Sequence, residues 1–449
     1  MSANSYVDST TPIGIPSDLK PGVSGKATNV RHAIIAATAL AAFLMYLDRA
    51  CLGWILESDS FKRDIVLAPE DKEWLKASFF WAYALAQVPA GWLAERFGKR
   101  LLMTLMILSW SAFTALTSFS DGLTMLLFAR IGCGLAEAGA YPIAGSLLSR
   151  WANLNWRGMA SSIVSLGGRL GFALAPLITS FIIFGSGDWR YAGWIYGAAG
   201  IFAAAIFWFV FRETPEAHPA CNAQEVAHLN AGRPPVTSSL KRTGFPWMAV
   251  LTDTSLWLMC AVQFLTNFGW AFVINSMPTY LKDVRHLSDQ MNGTISTLTL
   301  VIGFFGLLLG GVITDACMRR FGVRMGRLLP MALTRFISAG CFILCLWAEN
   351  PWALAVCLGM MTFSTDAGLP AMWAWAQDVG GKQVAPIMGW ANMWGNFGAA
   401  LQPTLLFYVN QNFDTNKDWH EAFLVSAGAF ALSGLLSLGI NAAKPVVKE

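Results

Sequence analysis

Long apolar stretches recur along the whole chain and constrain its fold more than any other feature. The chain has 449 residues, of which 55 % are hydrophobic and 13 % charged, whereas soluble globular domains carry about 25 % charged residues. About twenty apolar residues suffice to cross the hydrocarbon core of a bilayer as a helix. Twelve such spans are predicted, at residues 32–54, 73–95, 100–119, 122–150, 158–184, 190–211, 247–282, 288–317, 327–348, 351–378, 383–410 and 418–442. The sequence therefore predicts an all-α membrane protein.

The distribution of Lys and Arg predicts the orientation of these spans. If the N-terminus is cytoplasmic, nineteen of these residues lie in cytoplasmic segments and eight in the opposite loops. Positive residues concentrate on the cytoplasmic side of membrane proteins, so both termini are expected there. The polar first thirty residues lack the apolar core of a cleavable signal peptide. The first span is therefore expected to serve as its own insertion signal.

An internal repeat divides the chain into two halves. The second and eighth spans each end with a glycine, an acid four residues later, and basic residues around a Phe-Gly pair. The two acids, Glu95 and Asp315, lie 220 residues apart, about half the chain. We predict that the two motifs form a cytoplasmic latch of ion pairs that opens when the halves rock. The latch residues are Gly91, Glu95, Arg96, Gly98, Arg100, Gly311, Asp315, Arg319 and Arg320.

The repeat and the polar segment between its copies predict the domain organisation. Two pseudo-symmetric bundles of six helices each are expected, joined by a Pro-containing cytoplasmic linker. The expected segments are a cytoplasmic tail at 1–30, an N-terminal bundle at 31–211, the linker at 212–245, a C-terminal bundle at 246–442 and a cytoplasmic tail at 443–449.

Four ionisable residues lie in the middle of two apolar spans: Asp48 and Arg49 in the first, Arg130 and Glu137 in the fourth. A charge at that depth costs roughly 2.5–3.5 kcal/mol on insertion scales and usually marks the route of a solute or ion. Arg130 and Glu137 are two helical turns apart, too far to pair easily. Cross-helix pairs are therefore expected, Asp48 with Arg130 and Arg49 with Glu137. The alternative is that these pairs only hold the N-terminal bundle together.

Amide and aromatic side chains at similar depth predict the rest of a central binding cavity. They suit a polyhydroxylated solute, because its hydroxyl groups need both donors and acceptors. The alternative is hydrogen bonding between helices, a common role of Asn and Gln in membranes. The predicted substrate-binding residues are Tyr46, Arg49, Tyr83, Arg169, Gln263, Asn267, Trp373 and Asn392.

Several motifs together resemble the Major Facilitator Superfamily, and within it the anion:cation symporter branch. The branch is indicated by Tyr46-Leu47-Asp48-Arg49, by Arg130-Ile131-Gly132-Cys133-Gly134-Leu135-Ala136-Glu137, and by Glu213-Thr214-Pro215-Glu216-Ala217-His218-Pro219. That branch includes bacterial galactonate and hexuronate transporters and, more distantly, sialin and the vesicular glutamate transporters. The resemblance implies proton-coupled symport of a sugar acid in the bacterial inner membrane. It also implies that Asp48 and Glu137 couple protons, and that Trp373 lines the cavity.

Two departures from the galactonate pattern leave the particular sugar acid open. Gly168 stands where those transporters have a substrate-contacting Gln, and Arg169 follows it. Arg169 is expected either to bind a second acidic group of the substrate or to balance Asp366, an acid in the tenth span. Arg335, in the ninth span, could snorkel to the cytoplasmic interface and is given no role.

Other functional classes find little support in the sequence. The eight cysteines and five histidines are dispersed, so neither a metal site nor a cofactor is expected. No P-loop with a following GK[ST], no nucleic-acid-binding patch and no catalytic arrangement are present, so an enzyme is not expected. The expected partners are a small organic anion, protons and the lipid bilayer, and the protein is expected to be monomeric. The alternatives are a carrier of aromatic or aliphatic carboxylates or phosphate, an exchanger, and a membrane sensor.

Overall fold

The computed structural model describes residues 26–231, 247–412 and 419–446. Most of the predicted N-terminal tail, residues 232–245 of the predicted linker and residues 447–449 of the predicted C-terminal tail lie outside the described residues. In the described part, twelve helices match the twelve predicted spans in number and order. They are α1 Val30–Glu57, α2 Pro69–Phe97, α3 Lys99–Thr117, α4 Leu123–Trp151, α5 Arg157–Ser186, α6 Arg190–Val210, α7 Thr254–Val284, α8 and α9 as the two parts of Asp289–Cys345, α10 Pro351–Val379, α11 Val384–Asn412 and α12 His420–Leu438.

Two glycines with a left-handed backbone mark equivalent places in the two halves. Gly98, between α2 and α3, has φ +98°, and Gly322, between α8 and α9, has φ +73°. Only glycine adopts such angles without strain, which is why each Phe-Gly pair can turn the chain sharply between two helices. The repeat read from the sequence is therefore also a repeat of backbone geometry.

The helices that pack across the interface between the halves differ in hydropathy. Within the described ranges, nine helical segments are long and apolar enough to cross a membrane, and one of them, Gln290–Cys345, contains both α8 and α9. Helices α2 and α11 are not among the nine and pack against each other across the interface. Helices α5 and α8 make the second contact between the halves. The architecture of two six-helix halves confirms the predicted fold class.

The connection between α1 and α2 is fixed to α6 at the face opposite the termini. Asp64 accepts hydrogen bonds from Arg190 and, at 3.1 Å, from Trp189 Nε1. These two hydrogen bonds hold the pKa of Asp64 below its ordinary value. Its carboxylate is therefore charged at neutral pH and can hold the loop in place.

Glycines allow α1 and α5 to cross closely. A Cβ at Gly171, in α5, would lie 2.0 Å from the Phe43 carbonyl oxygen in α1, whereas a Cβ at Gly185, in the same helix, would meet nothing within 4 Å. Small residues at such crossings let helix backbones approach each other in membranes.

We expect Gly171→Val to destabilise the protein by about 1–3 kcal/mol or more, because the added atoms overpack the crossing. The measurement is the thermal unfolding midpoint of the purified protein in detergent. Gly185→Val, on the same helix in open space, is the matched control and should unfold near the wild-type temperature. Equal midpoints for the two variants would show that the crossing tolerates a side chain.

Candidate functional site

A buried ion pair between α1 and α4 forms the centre of the N-terminal half. Arg49 donates two hydrogen bonds to Glu137 Oε2, from Nη2 at 2.9 Å and from Nε at 3.1 Å. The Glu137 side chain is 1 % exposed and the Arg49 side chain 12 %. The expected contact of Arg49 with Glu137 is thus present. Because both bonds reach one oxygen, Glu137 Oε1 is buried without a partner among the described residues.

Three aromatic rings surround the Arg49 guanidinium. Its Cζ lies 4.8 Å from the ring centroid of Tyr46, 4.9 Å from that of Phe79 and 4.5 Å from that of Tyr83. Cation–π contacts of this kind are worth about 0.5–2 kcal/mol each, more where water is excluded. The guanidinium is therefore held in place by the faces of the three rings and not by additional carboxylate groups. Arg49 can therefore exchange one carboxylate partner for another without losing its position.

The expected pair of Asp48 with Arg130 is absent. Neither carboxylate oxygen of Asp48 has a hydrogen-bond partner among the described residues. Arg130 instead donates from Nη2 to the Arg49 carbonyl oxygen at 3.3 Å and lies over the Phe79 ring, at 5.0 Å. That ring and that carbonyl hold the guanidinium away from Asp48, which sequence spacing alone cannot reveal.

Asp48 and Arg130 nevertheless face one small cavity inside the N-terminal half. The cavity is lined by Asp48, Cys51, Leu52, Ile55, Thr114, Thr117, Arg130 and Gly193. Asp48 points away from Arg49 because adjacent residues of a helix lie about 100° apart. The two acids of the N-terminal half therefore occupy different surroundings. Glu137 is bound to a guanidinium, whereas Asp48 faces a polar cavity.

A second ion pair joins the two halves. Arg169, in α5, donates from Nη2 to Asp366 Oδ1, in α10, at 2.7 Å, and its Cζ lies 4.5 Å from the ring centroid of Trp270, in α7. Of the two roles left open for Arg169, the structure displays the pairing with Asp366.

Arg335 lies deep in the C-terminal half rather than at the membrane edge. It has no exposed surface, donates to the Thr365 carbonyl oxygen at 2.9 Å and contacts Met372 Sδ at 3.0 Å. The expectation that Arg335 snorkels is therefore wrong. The carbonyl oxygen and the negative charge of nearby Asp366 hold it inside.

Amide and aromatic side chains meet between the halves. Asn392 Nδ2 donates to Gln87 Oε1 at 2.8 Å, and the ring centroids of Tyr141 and Trp373 lie 4.8 Å apart. Gln263 and Asn267 lie instead against α11 within the C-terminal half, since a Cβ at Gly395 would lie 2.6 Å from Asn267 Nδ2 and 3.3 Å from Gln263 Oε1. Trp373 and Asn392 thus make contacts across the interface, whereas the described contacts of Gln263 and Asn267 do not.

The latch acids make contacts different from those expected. Asp315 accepts hydrogen bonds from the backbone N–H groups of Gly158 and Met159 at 2.9 Å each, at the start of α5 in the other half. Glu95 accepts from Lys99 Nζ at 2.7 Å and from Ser146 Oγ at 2.6 Å. Free backbone donors and the dipole at a helix N-terminus favour an acid, so Asp315 crosses the interface without an Arg from its own motif.

The motif arginines make separate contacts. Two of them lie over aromatic rings: Arg96 over Trp92 and Phe97, and Arg320 over Phe321. The other two donate to backbone carbonyl oxygens: Arg100 to that of Trp208, and Arg319 to that of Asn155. Among the described residues no motif arginine pairs with a motif acid, and the ion pair within a motif joins Glu95 of α2 to Lys99 of α3; the opening of the latch when the halves rock stays a prediction. Two glycines do permit close contact between the halves, because a Cβ at Gly91 would lie 2.8 Å from the Ala385 backbone and one at Gly311 would lie 2.4 Å from Ser162 Oγ.

The charges that do join the halves near this face centre on Asp378, which the sequence analysis missed. Asp378, at the end of α10, accepts from Arg157 at the start of α5 and from Arg327 Nε, in α9, at 2.7 Å. The Asp378 side chain is 3 % exposed. The sequence does place this acid at the end of a predicted span and arginines at the ends of other spans on the same side of the membrane. That pattern could have indicated the contact.

A family model described as Major Facilitator Superfamily matches residues 38–403. The chain belongs to the Major Facilitator Superfamily. This superfamily comprises membrane transporters, and the protein is a multi-pass membrane protein rather than an enzyme. The superfamily resemblance read from the sequence motifs is thereby confirmed.

Relatives within the Major Facilitator Superfamily cover nearly the whole chain. The chain is 28 % identical to the probable galactarate/D-glucarate transporter GudP of Bacillus subtilis, over 92 % of each chain. It is 25 % identical to the probable sulfoacetate transporter SauU of Cupriavidus necator, over 92 % of this chain and 94 % of the relative. It is also 25 % identical to the probable L-galactonate transporter of Escherichia coli, over 96 % of this chain and 95 % of the relative.

A solved structure with the same fold is that of the human organic anion transporter TETRAN. It superposes with a TM-score of 0.68 at 15 % sequence identity, over 91 % of this chain and 99 % of that chain. At this identity the likeness concerns the fold alone.

Proposed function

We propose that this protein is a proton-coupled symporter of an organic anion, most specifically a sugar acid, working by alternating access. The observation that carries the proposal is the buried bond between Arg49 and Glu137 inside three aromatic rings. A guanidinium whose only acidic partner is a single carboxylate is a site where a substrate carboxylate can compete. The relatives named as galactarate, glucarate and galactonate transporters support a sugar acid as substrate.

The coupling mechanism follows from that competition. When a substrate carboxylate takes the place of Glu137 on Arg49, an ionised Glu137 would be left buried without a partner. Leaving a buried charge uncompensated costs about 3–5 kcal/mol, so Glu137 takes up a proton as the anion binds. The same reasoning in reverse returns Glu137 to Arg49 when the anion and the proton leave on the other side.

Asp48 provides a second proton site in this proposal. Its two carboxylate oxygens have no hydrogen-bond partner in the described part of the chain, and Asp48 lines the same cavity as Arg130. Protonation there adjusts the charge of the N-terminal half without disturbing the bond between Arg49 and its carboxylate partner. We therefore assign Asp48 and Glu137 the role of proton acceptors, with Arg130 as the fixed positive charge between them.

The contacts between the halves support transport by alternating access. Asn392 with Gln87, and Trp373 with Tyr141, meet across the interface near the ion pairs, where superfamily transporters bind their substrates. The hydroxyl groups of a sugar acid need donors and acceptors of this kind. We infer an inner-membrane location with both termini in the cytoplasm, from the excess of Lys and Arg in those segments.

The test is uptake into proteoliposomes containing the purified protein, with and without a pH gradient. Labelled galactonate, galactarate, glucuronate, benzoate and phosphate are compared. Stimulation of sugar-acid uptake by an acidic exterior is the expected result. The sulfoacetate relative makes a small sulfonate the second candidate substrate. Uptake of phosphate alone, or uptake of sugar acids that ignores the pH gradient, would contradict the proposal.

Replacing Arg49 by Lys is expected to raise the KM for the anion about tenfold or more. Lys keeps the positive charge but lacks the planar group that binds a carboxylate through two hydrogen bonds and stacks on aromatic rings. The measurement is the concentration dependence of the initial uptake rate. Arg63→Lys, at an exposed position in the loop between α1 and α2, is the matched control. An unchanged KM for Arg49→Lys would exclude Arg49 as the anion site.

A further inference from the structure

The ion pair between Arg169 and Asp366 is the only described salt bridge between the halves that lies midway along the helices. It joins α5 to α10, with 2.7 Å between Arg169 Nη2 and Asp366 Oδ1. The Arg169 side chain keeps 20 % of its surface exposed, whereas Asp366 keeps 7 %. The Arg169 side chain is therefore partly accessible, whereas the acid that it binds is enclosed.

The surroundings of this pair carry a surplus of positive charge. Asp366 pairs with Arg169, and the fully buried Arg335 donates to the carbonyl oxygen of the preceding residue, Thr365, so two arginines lie around one acid. Arg169 also lies over the Trp270 ring, whose Nε1 is buried and has no hydrogen-bond partner among the described residues. One unbalanced positive charge and one unused donor together form a site for a further anionic group.

The Tyr46 ring connects the surroundings of Arg49 with helix α5 beside Arg169. The Tyr46 ring is in contact with Arg49, and a Cβ at Gly168, the neighbour of Arg169, would lie 2.9 Å from Tyr46 Cδ2 and 2.6 Å from Tyr141 Oη. Gly168 therefore lets both tyrosines lie against α5. Arg49, in contact with the Tyr46 ring, and Arg169, the residue after Gly168, are two cationic groups of the N-terminal half that the two acids of one substrate can bind.

We propose that Asp366 occupies the place of the second acid group of a doubly charged substrate, and that Arg169 is the residue that selects sugar diacids over sugar monoacids. This proposal rests on the proposed function, in which Arg49 binds the first carboxylate. The second carboxylate displaces Asp366 from Arg169 and accepts from Trp270 Nε1. Arg335, which donates to the carbonyl oxygen of Thr365, is then the remaining positive charge near Asp366.

The displacement also changes the contact between the halves. Arg49 and Arg169 both belong to the N-terminal half, so a diacid bound to both breaks the ion pair between Arg169 and Asp366 and leaves Trp270 as the contact of the C-terminal half with this site. A monoacid bound to Arg49 leaves the pair between Arg169 and Asp366 in place. Monoacids should therefore bind and compete, yet be transported slowly, because the bond that joins the halves persists.

The experiment compares initial uptake of labelled galactarate and galactonate by wild type, Arg169→Gln, Asp366→Asn and the double variant in proteoliposomes. Wild type is expected to favour galactarate about tenfold or more in kcat/KM, the range of one charge-assisted carboxylate contact. Arg169→Gln should lower galactarate uptake about tenfold and raise galactonate uptake several-fold, because the same bond between the halves is lost. Asp366→Asn should raise galactonate uptake several-fold, because the bond between the halves is gone.

The possible outcomes separate this proposal from a purely structural role of the pair. If the pair is purely structural, each single variant should lower the uptake of both sugar acids in the same proportion, and the double variant should restore it. This result would overturn the proposal. Proton-driven uptake of galactonate at least equal to that of galactarate by wild type would overturn it as well, while leaving the proposed function intact. Uptake of neither sugar acid would overturn both.

Discussion

Glu137→Gln is expected to abolish proton-driven accumulation while exchange of internal for external substrate continues. Gln has nearly the shape of Glu but accepts no proton at this step, so the anion can still reach Arg49 without coupling to H⁺. In wild type, each coupled proton contributes about 1.4 kcal/mol per pH unit, or about tenfold accumulation. The variant should therefore lose at least that tenfold gradient and only equilibrate its substrate.

Two assays in proteoliposomes measure this prediction: steady-state accumulation under an imposed pH gradient, and exchange of preloaded labelled substrate without one. Glu57→Gln is the matched control, since Glu57 lies at the surface beside Lys62 and Lys72 and its side chain is 61 % exposed. The control should accumulate substrate as wild type does. Full accumulation by Glu137→Gln would disprove coupling at this residue, and loss of exchange together with accumulation would assign it to binding instead.

The sequence predicted those features that follow from periodicity and composition. Twelve spans and a twofold repeat can be read directly, because apolar length and the Phe-Gly motifs are local signals. The contact between Arg49 and Glu137 was also predictable. Their opposite charges are buried in the first and fourth spans, and a buried charge without a partner destabilises the protein by several kcal/mol. Their roles in transport and proton coupling stay predictions.

The wrong predictions share a physical origin, namely that they required the rotation of one helix relative to another. Arg130 has Asp48 nearby but is held by the Phe79 ring and the Arg49 carbonyl oxygen. Arg335 looked close enough to the membrane edge to snorkel, yet the Thr365 carbonyl oxygen holds it inside. Sequence spacing places a charge on a helix, but aromatic rings and backbone carbonyls of other helices decide which way it turns.

The latch was misread for a related reason. The sequence suggests that acids pair with nearby arginines, whereas Asp315 binds the free backbone N–H groups at the start of α5. Nearly every residue carries a backbone N–H group, so the composition does not indicate which of these groups an acid will bind. Such partners can be identified only when the positions of the helices are known. The same holds for Asp378, whose two arginines come from α5 and α9.

Asp378→Asn is expected to open the face of the protein that carries the chain termini. Asp378 binds Arg157 of the N-terminal half and Arg327 of the C-terminal half, all three side chains being at most 7 % exposed. Removing one member of a buried ion pair costs about 3–5 kcal/mol, a factor of more than a hundred in an equilibrium. Because this cost falls on the state in which the halves meet here, the population should shift to the state in which they separate.

Distances between spin labels at Asn153→Cys and Lys382→Cys, one on each half at this face, measure the shift. Cys221, Cys317 and Cys357, all three partly exposed, are replaced by Ser in the labelled protein. The longer distance should become the major population in Asp378→Asn and remain minor in the control Asp121→Asn, at an exposed site on the opposite face. A lower unfolding temperature with unchanged distances would instead make Asp378 a residue that stabilises both states equally. A shift to the longer distance would show that the charge of Asp378 determines the equilibrium between the closed and the open state of this face. Only an interaction that is present in one of two states can shift the equilibrium between them.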